Sequence, residues 1–246
     1  MRQFGLIGRK LGHSFSAKYF GEKFKREGLD LECAYSLYEL STIEQVEELV
    51  ASTPSLVGFN VTIPYKQQII PYLDAVSDEA QGIGAVNCVK ILADGRRVGY
   101  NTDVVGIRSS LDSLMGGVEV EQALVLGTGG ASHAVQYVLA ERGIGCKVVS
   151  RERSKGNITY DELTPEVIVS HKLIVNASPV GMYPNVEQAP DIDYNSLTRN
   201  HFLFDLVYNP EVTRFMELGA AQGAQTLSGL DMLYAQAEAA WTIWNE

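Results

Sequence analysis

The stretch Ala123-Leu124-Val125-Leu126-Gly127-Thr128-Gly129-Gly130-Ala131 decides how this chain is read. Four apolar residues make a buried strand, the glycines make a tight turn, and Ala131 to Arg142 continues with a helical pattern. In that order, backbone N–H groups and a helix N-terminus face outward to receive a pyrophosphate. A glycine turn alone is often just a tight connection. The strand before it and the helix after it favour dinucleotide binding.

Moving outward, the next strand runs from Lys147 to Ser150 and is followed by Arg151, Glu152, Arg153 and Lys155. An acid at this position holds the ribose 2′-OH of NAD, whereas a base suits a 2′-phosphate. These cations could simply form a solvated loop. In an acidic chain their position favours NADP, with Glu152 opposing. Leu173 to Val175 and Phe202 to Leu206 are further strands.

The first hundred residues alternate in the same manner. Phe4 to Ile7 is a strand before Gly8, and Ser16 to Lys25 is a helix with Tyr19, Phe20 and Phe24 on one face. Cys33 to Leu37 is a strand. Ser41 with Glu44 forms a capping box for the next helix. Leu56 to Val61 is a strand, and Pro64 opens a helix whose first turn carries Lys66. Val86 to Leu92 and Arg97 to Tyr100 flank the hairpin turn Asp94-Gly95, and Val104 to Leu114 is a helix. The alternation predicts an α/β chain with parallel sheets in both halves.

The chain has 246 residues, 46% of them hydrophobic, enough for one large core or two modest ones, and the glycine turn near its midpoint favours two domains. Its net charge of −10 argues against nucleic acid or an anionic membrane surface as partner. No apolar run approaches the ~18 residues of a membrane span, and the N-terminus lacks the pattern of a secretory signal. Cys33, Cys88 and Cys146 suit neither a disulfide framework nor a metal cluster, and His13, His133, His171 and His201 lack ligand spacing. A cytoplasmic protein without metal is expected. No sequence feature distinguishes a monomer from a homodimer.

The last helix carries one narrow polar stripe, Asp231, Glu238, Thr242, Asn245 and Glu246, and is apolar elsewhere. That width of apolar surface predicts burial on more than one side. Gln236 falls inside the apolar arc and needs hydrogen-bond partners, which a bound polyol would supply.

Four stretches carry the chemistry. A lysine in a first helical turn opposes the helix dipole, which gives Lys66 a reason to exist other than structure. Asp103, in Asn101-Thr102-Asp103, is either a helix-start acid or a carboxylate partner for that lysine. Ser14 and Ser16 offer one hydroxyl more than a helix cap uses. Asn60, Thr62 and Asn87 lie at strand ends, where open α/β sheets bind ligands.

The chain resembles the shikimate dehydrogenase family over nearly its whole length. The motifs are His13-Ser14-Phe15-Ser16, Asn60-Val61-Thr62-x-Pro64-x-Lys66, Gly84-Ala85-Val86-Asn87 and Asn101-Thr102-Asp103. They continue with the glycine turn, Asn176-Ala177-Ser178-Pro179-Val180-Gly181-Met182, Asp205-Leu206-Val207-Tyr208-Asn209-Pro210 and Gly229-Leu230-x-Met232-Leu233-x-x-Gln236-Ala237. The resemblance implies a substrate domain over 1–103, a Rossmann NADP domain over 104–228, and a C-terminal helix over 229–246 returning to the first domain.

By motif position it implies that Ser14, Ser16, Asn60, Thr62, Lys66, Asn87, Asp103, Tyr208 and Gln236 meet shikimate, with Lys66 and Asp103 catalytic. Gly127, Thr128, Gly129, Gly130, Ala131, Ser150, Arg151, Lys155, Leu206 and Gly229 would meet NADP, with Ala177, Ser178 and Met182 near the nicotinamide. Two departures stand out. The family usually has Asn-Arg-Thr where this chain has Ser150-Arg151-Glu152, and the crossover between Arg151 and Asn176 is short enough that its helix and strand read as trimmed. The alternatives are a quinate/shikimate dehydrogenase using NAD, or a non-catalytic NADP- or metabolite-binding regulator on the same scaffold.

Overall fold

The computed structural model describes residues 1–12 and 14–246; the histidine expected in the first motif, His13, lies outside the described residues. The chain forms two compact units, Met1–Thr102 with Ala237–Glu246, and Asp103–Gln236.

The first unit contains β1 (Arg2–Gly8), α1 (Phe15–Arg26), β2 (Cys33–Glu39), α2 (Gln45–Ser52), β3 (Leu56–Val61), β4 (Ala75–Val76), α3 (Asp78–Ile83), β5 (Cys88–Ile91) and β6 (Arg97–Tyr100). Its six strands lie in the order β2-β1-β3-β5-β6-β4. The sheet is mixed, not parallel as expected. β1 pairs in parallel with β2 and β3, but β5 runs antiparallel to both β3 and β6. The Asp94-Gly95 hairpin returns the chain at once and makes β5 and β6 antiparallel, while the connection over residues 62–87 brings β5 back antiparallel to β3. As a result the start of β5 lies beside the end of β3, with Cys88 opposite Asn60.

Two other expectations in this unit are corrected. The Ser41/Glu44 capping box does not form, because α2 starts later, at Gln45. Gln45 itself reaches back, its Oε1 accepting from the backbone N–H of Ser41 at 2.7 Å and of Thr42 at 3.3 Å. Nor does Pro64 open a helix. Residues 63–69 are a series of turns, with Tyr65 N–H on Thr62 O and Ile69 N–H on Tyr65 O, before a short 3-10 turn at Ile70–Tyr72. Tyr65 fixes this path, being fully buried with its hydroxyl on Leu40 O at 2.6 Å.

The second unit contains α4 (Asp103–Met115), β7 (Gln122–Leu126), α5 (Gly130–Glu141), β8 (Gly145–Ser150), β9 (Ile158–Thr159), α6 (Pro165–Ser170), β10 (Leu173–Asn176), β11 (Phe202–Asp205), α7 (Arg214–Ala221) and β12 (Gln225–Ser228). Its sheet is parallel throughout, in the order β12-β11-β10-β7-β8-β9. This is the doubly wound Rossmann arrangement. The short crossover keeps both elements read as trimmed, a two-residue β9 and a six-residue α6.

Helix α8 (Leu230–Asn245) begins in the second unit and ends in the first. The five residues of its polar stripe are all exposed. Its last turns belong to the first unit's core, where Trp244 packs against Phe4 and Phe20 and donates its indole N–H to Val89 O at 3.0 Å. Gly58 leaves the space for that indole: a Cβ there would collide with the Trp244 ring. Glu238, on the stripe, binds the buried ammonium of Lys23 at 2.8 Å and accepts the Tyr19 hydroxyl proton.

Candidate active site

In the first unit, the mixed sheet gathers a line of polar side chains. Ser16 hydrogen-bonds Tyr35, whose hydroxyl donates to Asn60 Oδ1 at 2.8 Å. Burial raises the Tyr35 phenol well above its usual range, so it stays a neutral donor. Asn60 Nδ2 donates to Asn87 O at 3.3 Å, and Asn87 Oδ1 accepts from Thr102 N–H at 2.7 Å and Thr102 Oγ1 at 3.2 Å. Asn60, Asn87 and Thr102 are all buried. Buried amides already oriented by their neighbours cost little to reorganise when a polyol arrives.

Lys66 joins this array through its backbone, its carbonyl accepting from Val86 N–H at 2.7 Å, one residue before Asn87. Its side chain is half-buried. With no regular helix around it, the dipole argument for its chemistry falls away; its place beside the Asn87 segment is the reason that remains. Thr62, half-buried, donates its N–H to Ile7 O at the end of β1. Ser14 caps α1, its Oγ accepting from Ser16 N–H at 3.3 Å. Asp103, buried, follows Thr102 in the chain as the first residue of α4.

In the second unit the glycine turn joins β7 to α5. Gly129 is the N-cap and offers no side-chain bond to the helix, so backbone N–H groups at Gly130 and Ala131 are left for an anion. Gly127 has φ +118°, a left-handed conformation, and a Cβ on it would sit 3.0 Å from Ala177 O. Gly229 likewise lies against the Leu206 backbone, which a Cβ would strike.

The loop after β8 resolves the conflict between Glu152 and the cations. Glu152 pairs with Lys155 at 2.8 Å, both side chains more than half exposed, and this ammonium holds the Glu152 carboxyl below its usual range. Arg153 pairs with Glu162 instead. Arg151, exposed, has no ion pair among the described residues. Ser150 Oγ fixes the loop by accepting Glu152 N–H at 3.1 Å. The donor set therefore fits a phosphorylated dinucleotide: uncapped helix N–H groups, glycines where backbones close in, and one guanidinium outside any salt bridge.

The remaining expected residues also fall in the second unit. Met182 is exposed and Ala177 and Ser178 half-buried, after β10. Tyr208, after β11, has its phenol raised by burial. Gln236 donates from Nε2 to Leu233 O at 3.0 Å, so one of its amide protons is already used within α8.

Sequence reading missed Tyr35, Asp205 and Thr213. Tyr35 reads as an ordinary apolar strand residue, and only the β1–β2 and β1–β3 registers bring it to Asn60. Asp205 stood in a quoted motif, and an acid ending an apolar strand is a signal that was available.

Residues 6–89 match the family model described as the shikimate dehydrogenase substrate binding domain. The shikimate dehydrogenase (NADP(+)) of Clostridium beijerinckii is 38% identical, covering 100% of this chain and 93% of that protein. The chain belongs to the shikimate dehydrogenase family. Among solved structures, the Thermus thermophilus shikimate 5-dehydrogenase in complex with NADP(H) and shikimate is 31% identical with a TM-score of 0.86, covering 99% of this chain and 93% of that one. The Corynebacterium glutamicum quinate dehydrogenase in complex with NAD is 27% identical with a TM-score of 0.88, covering 99% and 93%. No described helix is long and apolar enough to cross a membrane, and no group of three or more metal-ligating side chains occurs among the described residues.

Proposed function

We infer that the chain catalyses the reversible NADPH-dependent reduction of 3-dehydroshikimate to shikimate. Identity of 38% to a shikimate dehydrogenase (NADP(+)), over all of this chain, carries the reading. The first unit is then the substrate domain and the second the NADP domain. When bound, NADPH supplies hydride to the C3 carbonyl, and everything else falls to the chain.

Lys66 delivers the proton to the carbonyl oxygen in reduction and removes it in oxidation. Asp103 orients that ammonium and binds an adjacent hydroxyl. Ser14, Ser16, Asn60, Thr62, Asn87, Tyr208 and Gln236 hold the substrate's carboxylate and remaining hydroxyls. An acidic chain must hold a carboxylate with local donors of this kind. Gly127 to Ala131 receive the pyrophosphate, Ser150, Arg151 and Lys155 the adenosine 2′-phosphate, Leu206 and Gly229 also contact NADP, and Ala177, Ser178 and Met182 lie near the nicotinamide. The protein works as a monomer or homodimer in a reducing cytoplasm, its three cysteines free.

Shikimate-dependent reduction of NADP, followed by absorbance, is the direct test, with quinate and NAD run in parallel. Preference for shikimate with NADP is expected. Equal rates with quinate and NAD would overturn this assignment in favour of a quinate/shikimate dehydrogenase, and no turnover with any pair would point to a regulator.

A further inference from the structure

Asp205 ends β11 opposite Asn176 on β10, and both are fully buried. Its Oδ1 accepts from Asn176 Nδ2 at 2.9 Å and Val207 N–H at 3.0 Å, and its Oδ2 accepts from Thr213 Oγ1 at 2.6 Å. None of these donors carries a charge. Burial pushes the carboxyl up to about 6 even though all three hydrogen bonds pull it down. A buried carboxylate without a cation is an expensive way to gain stability, so what it organises is the relevant question.

It organises the amide of Asn176. A carboxylate only accepts, so Asn176 must turn Nδ2 toward Asp205 and Oδ1 away from it. That Oδ1 then accepts from Ser178 Oγ at 2.6 Å and Ser178 N–H at 3.1 Å, while Nδ2 also reaches Val180 O at 3.1 Å. Ser178 Oγ in turn accepts from Val180 N–H at 3.3 Å. The stretch from Ala177 to Val180 thus hangs from one amide whose orientation Asp205 dictates. Ala177 and Ser178 are the residues whose backbone lies against Gly127. On the other side, the Asp205–Val207 bond closes a turn around Leu206.

We propose that Asp205 is a positioning residue for the nicotinamide end of the cofactor, fixing the 177–182 stretch through Asn176 and Leu206 through Val207. The inference rests on the proposed assignment of the 177–182 stretch to the nicotinamide side and of Leu206 to the cofactor. Loops misplaced by a fraction of an ångström lose affinity and turnover, whereas the adenosine end, held by the loop after β8, should not sense the change.

The test compares Asp205→Ala, Asp205→Asn and Thr213→Val, with NADP and adenosine 2′,5′-bisphosphate binding measured by calorimetry well below each variant's Tm. Asp205→Ala should weaken NADP about tenfold and lower kcat, leaving the bisphosphate and the KM for shikimate within about twofold. Asn can accept the same two bonds on its oxygen and donate to Thr213, so it should restore NADP affinity to within about threefold. Thr213→Val removes the tie to α7 together with the N-cap bond of that helix and should lower Tm without altering NADP affinity. If Asp205→Ala does not fold, Asn176→Ala must show the same split between the two ligands. Equal losses of NADP and bisphosphate, or a lower Tm with native NADP affinity, would overturn the proposal. Met182→Ala checks the underlying assignment separately. Native NADP affinity in that variant, alongside a selective loss in Asp205→Ala, would displace Met182 from the site while supporting the role of Asp205.

Discussion

In the first unit several of the expected substrate ligands are side chains linked to one another around a mixed sheet: Ser16 to Tyr35, Tyr35 to Asn60, Asn60 and Thr102 to Asn87. In the second unit the expected cofactor contacts lie on a glycine turn and loops of a parallel sheet, two of them tied by Asn176 and Asp205. The contrast follows the chemistry of the two ligands. A polyol with several hydroxyls is recognised by donors and acceptors at fixed places, and buried amides supply both. A pyrophosphate asks only for N–H groups and a favourable dipole, and a helix start supplies them without any side chain.

The difference predicts which measurements each unit should move. Lys66→Ala should lower kcat by about 10²–10⁴-fold while leaving NADP binding near native. Near-native turnover would remove Lys66 from the chemistry, and a matched loss of NADP affinity would blur the separation between the units.

The next effect concerns stability and pH. Asp205 titrates at about 6 in the folded protein against ~3.9 for an unfolded Asp, so the native state favours its neutral form. Its contribution is fully present below the unfolded value and is lost as pH rises through the folded one. Asn at 205 does not titrate. The unfolding free energy of the native chain relative to Asp205→Asn should therefore fall by about 2 kcal/mol between pH 4 and 7. Paired urea titrations read this directly, and a difference that stays flat with pH would mean that Asp205 is not held above its ordinary range.

Arg151→Ala should weaken NADP by about tenfold and NAD hardly at all, since the exposed guanidinium addresses only the 2′-phosphate. Equal losses would show that it does not read that group. The smallest change is expected of Glu152→Gln. Releasing Lys155 from its exposed ion pair should tighten NADP by a few-fold at most. Weaker NADP binding would instead make Glu152 a necessary organiser of the loop.

The same contrast explains what the sequence discloses. The second unit is legible because its turn, helix and strands are local: the strand 123–126 is recovered within β7, and the helix expected over 131–142 lies within a residue of α5 at each end. The first unit is less so. The Asp94-Gly95 hairpin is local and is read correctly, yet the antiparallel pairing of β5 with β3, and so the meeting of Asn60 with Asn87, is a non-local outcome. The helix expected at Pro64 fails for a similar reason. Proline fits a first helical turn, but burial of Tyr65 and its bond to Leu40 O decide the backbone there. Asp205 and Thr213, eight positions apart, meet only after α7 is placed.

Helix α8 gives the molecule an order of assembly. The second unit is one continuous segment and can close as soon as Gln236 has left the ribosome. The first unit is built from two separate segments, Met1–Thr102 and Ala237–Glu246, because Phe4, Phe20 and Gly58 wait for Trp244. Contacts spanning almost the whole chain are slow to form. The first unit's core is therefore complete only once the end of α8 has joined it, and the Lys23–Glu238 pair forms with that step.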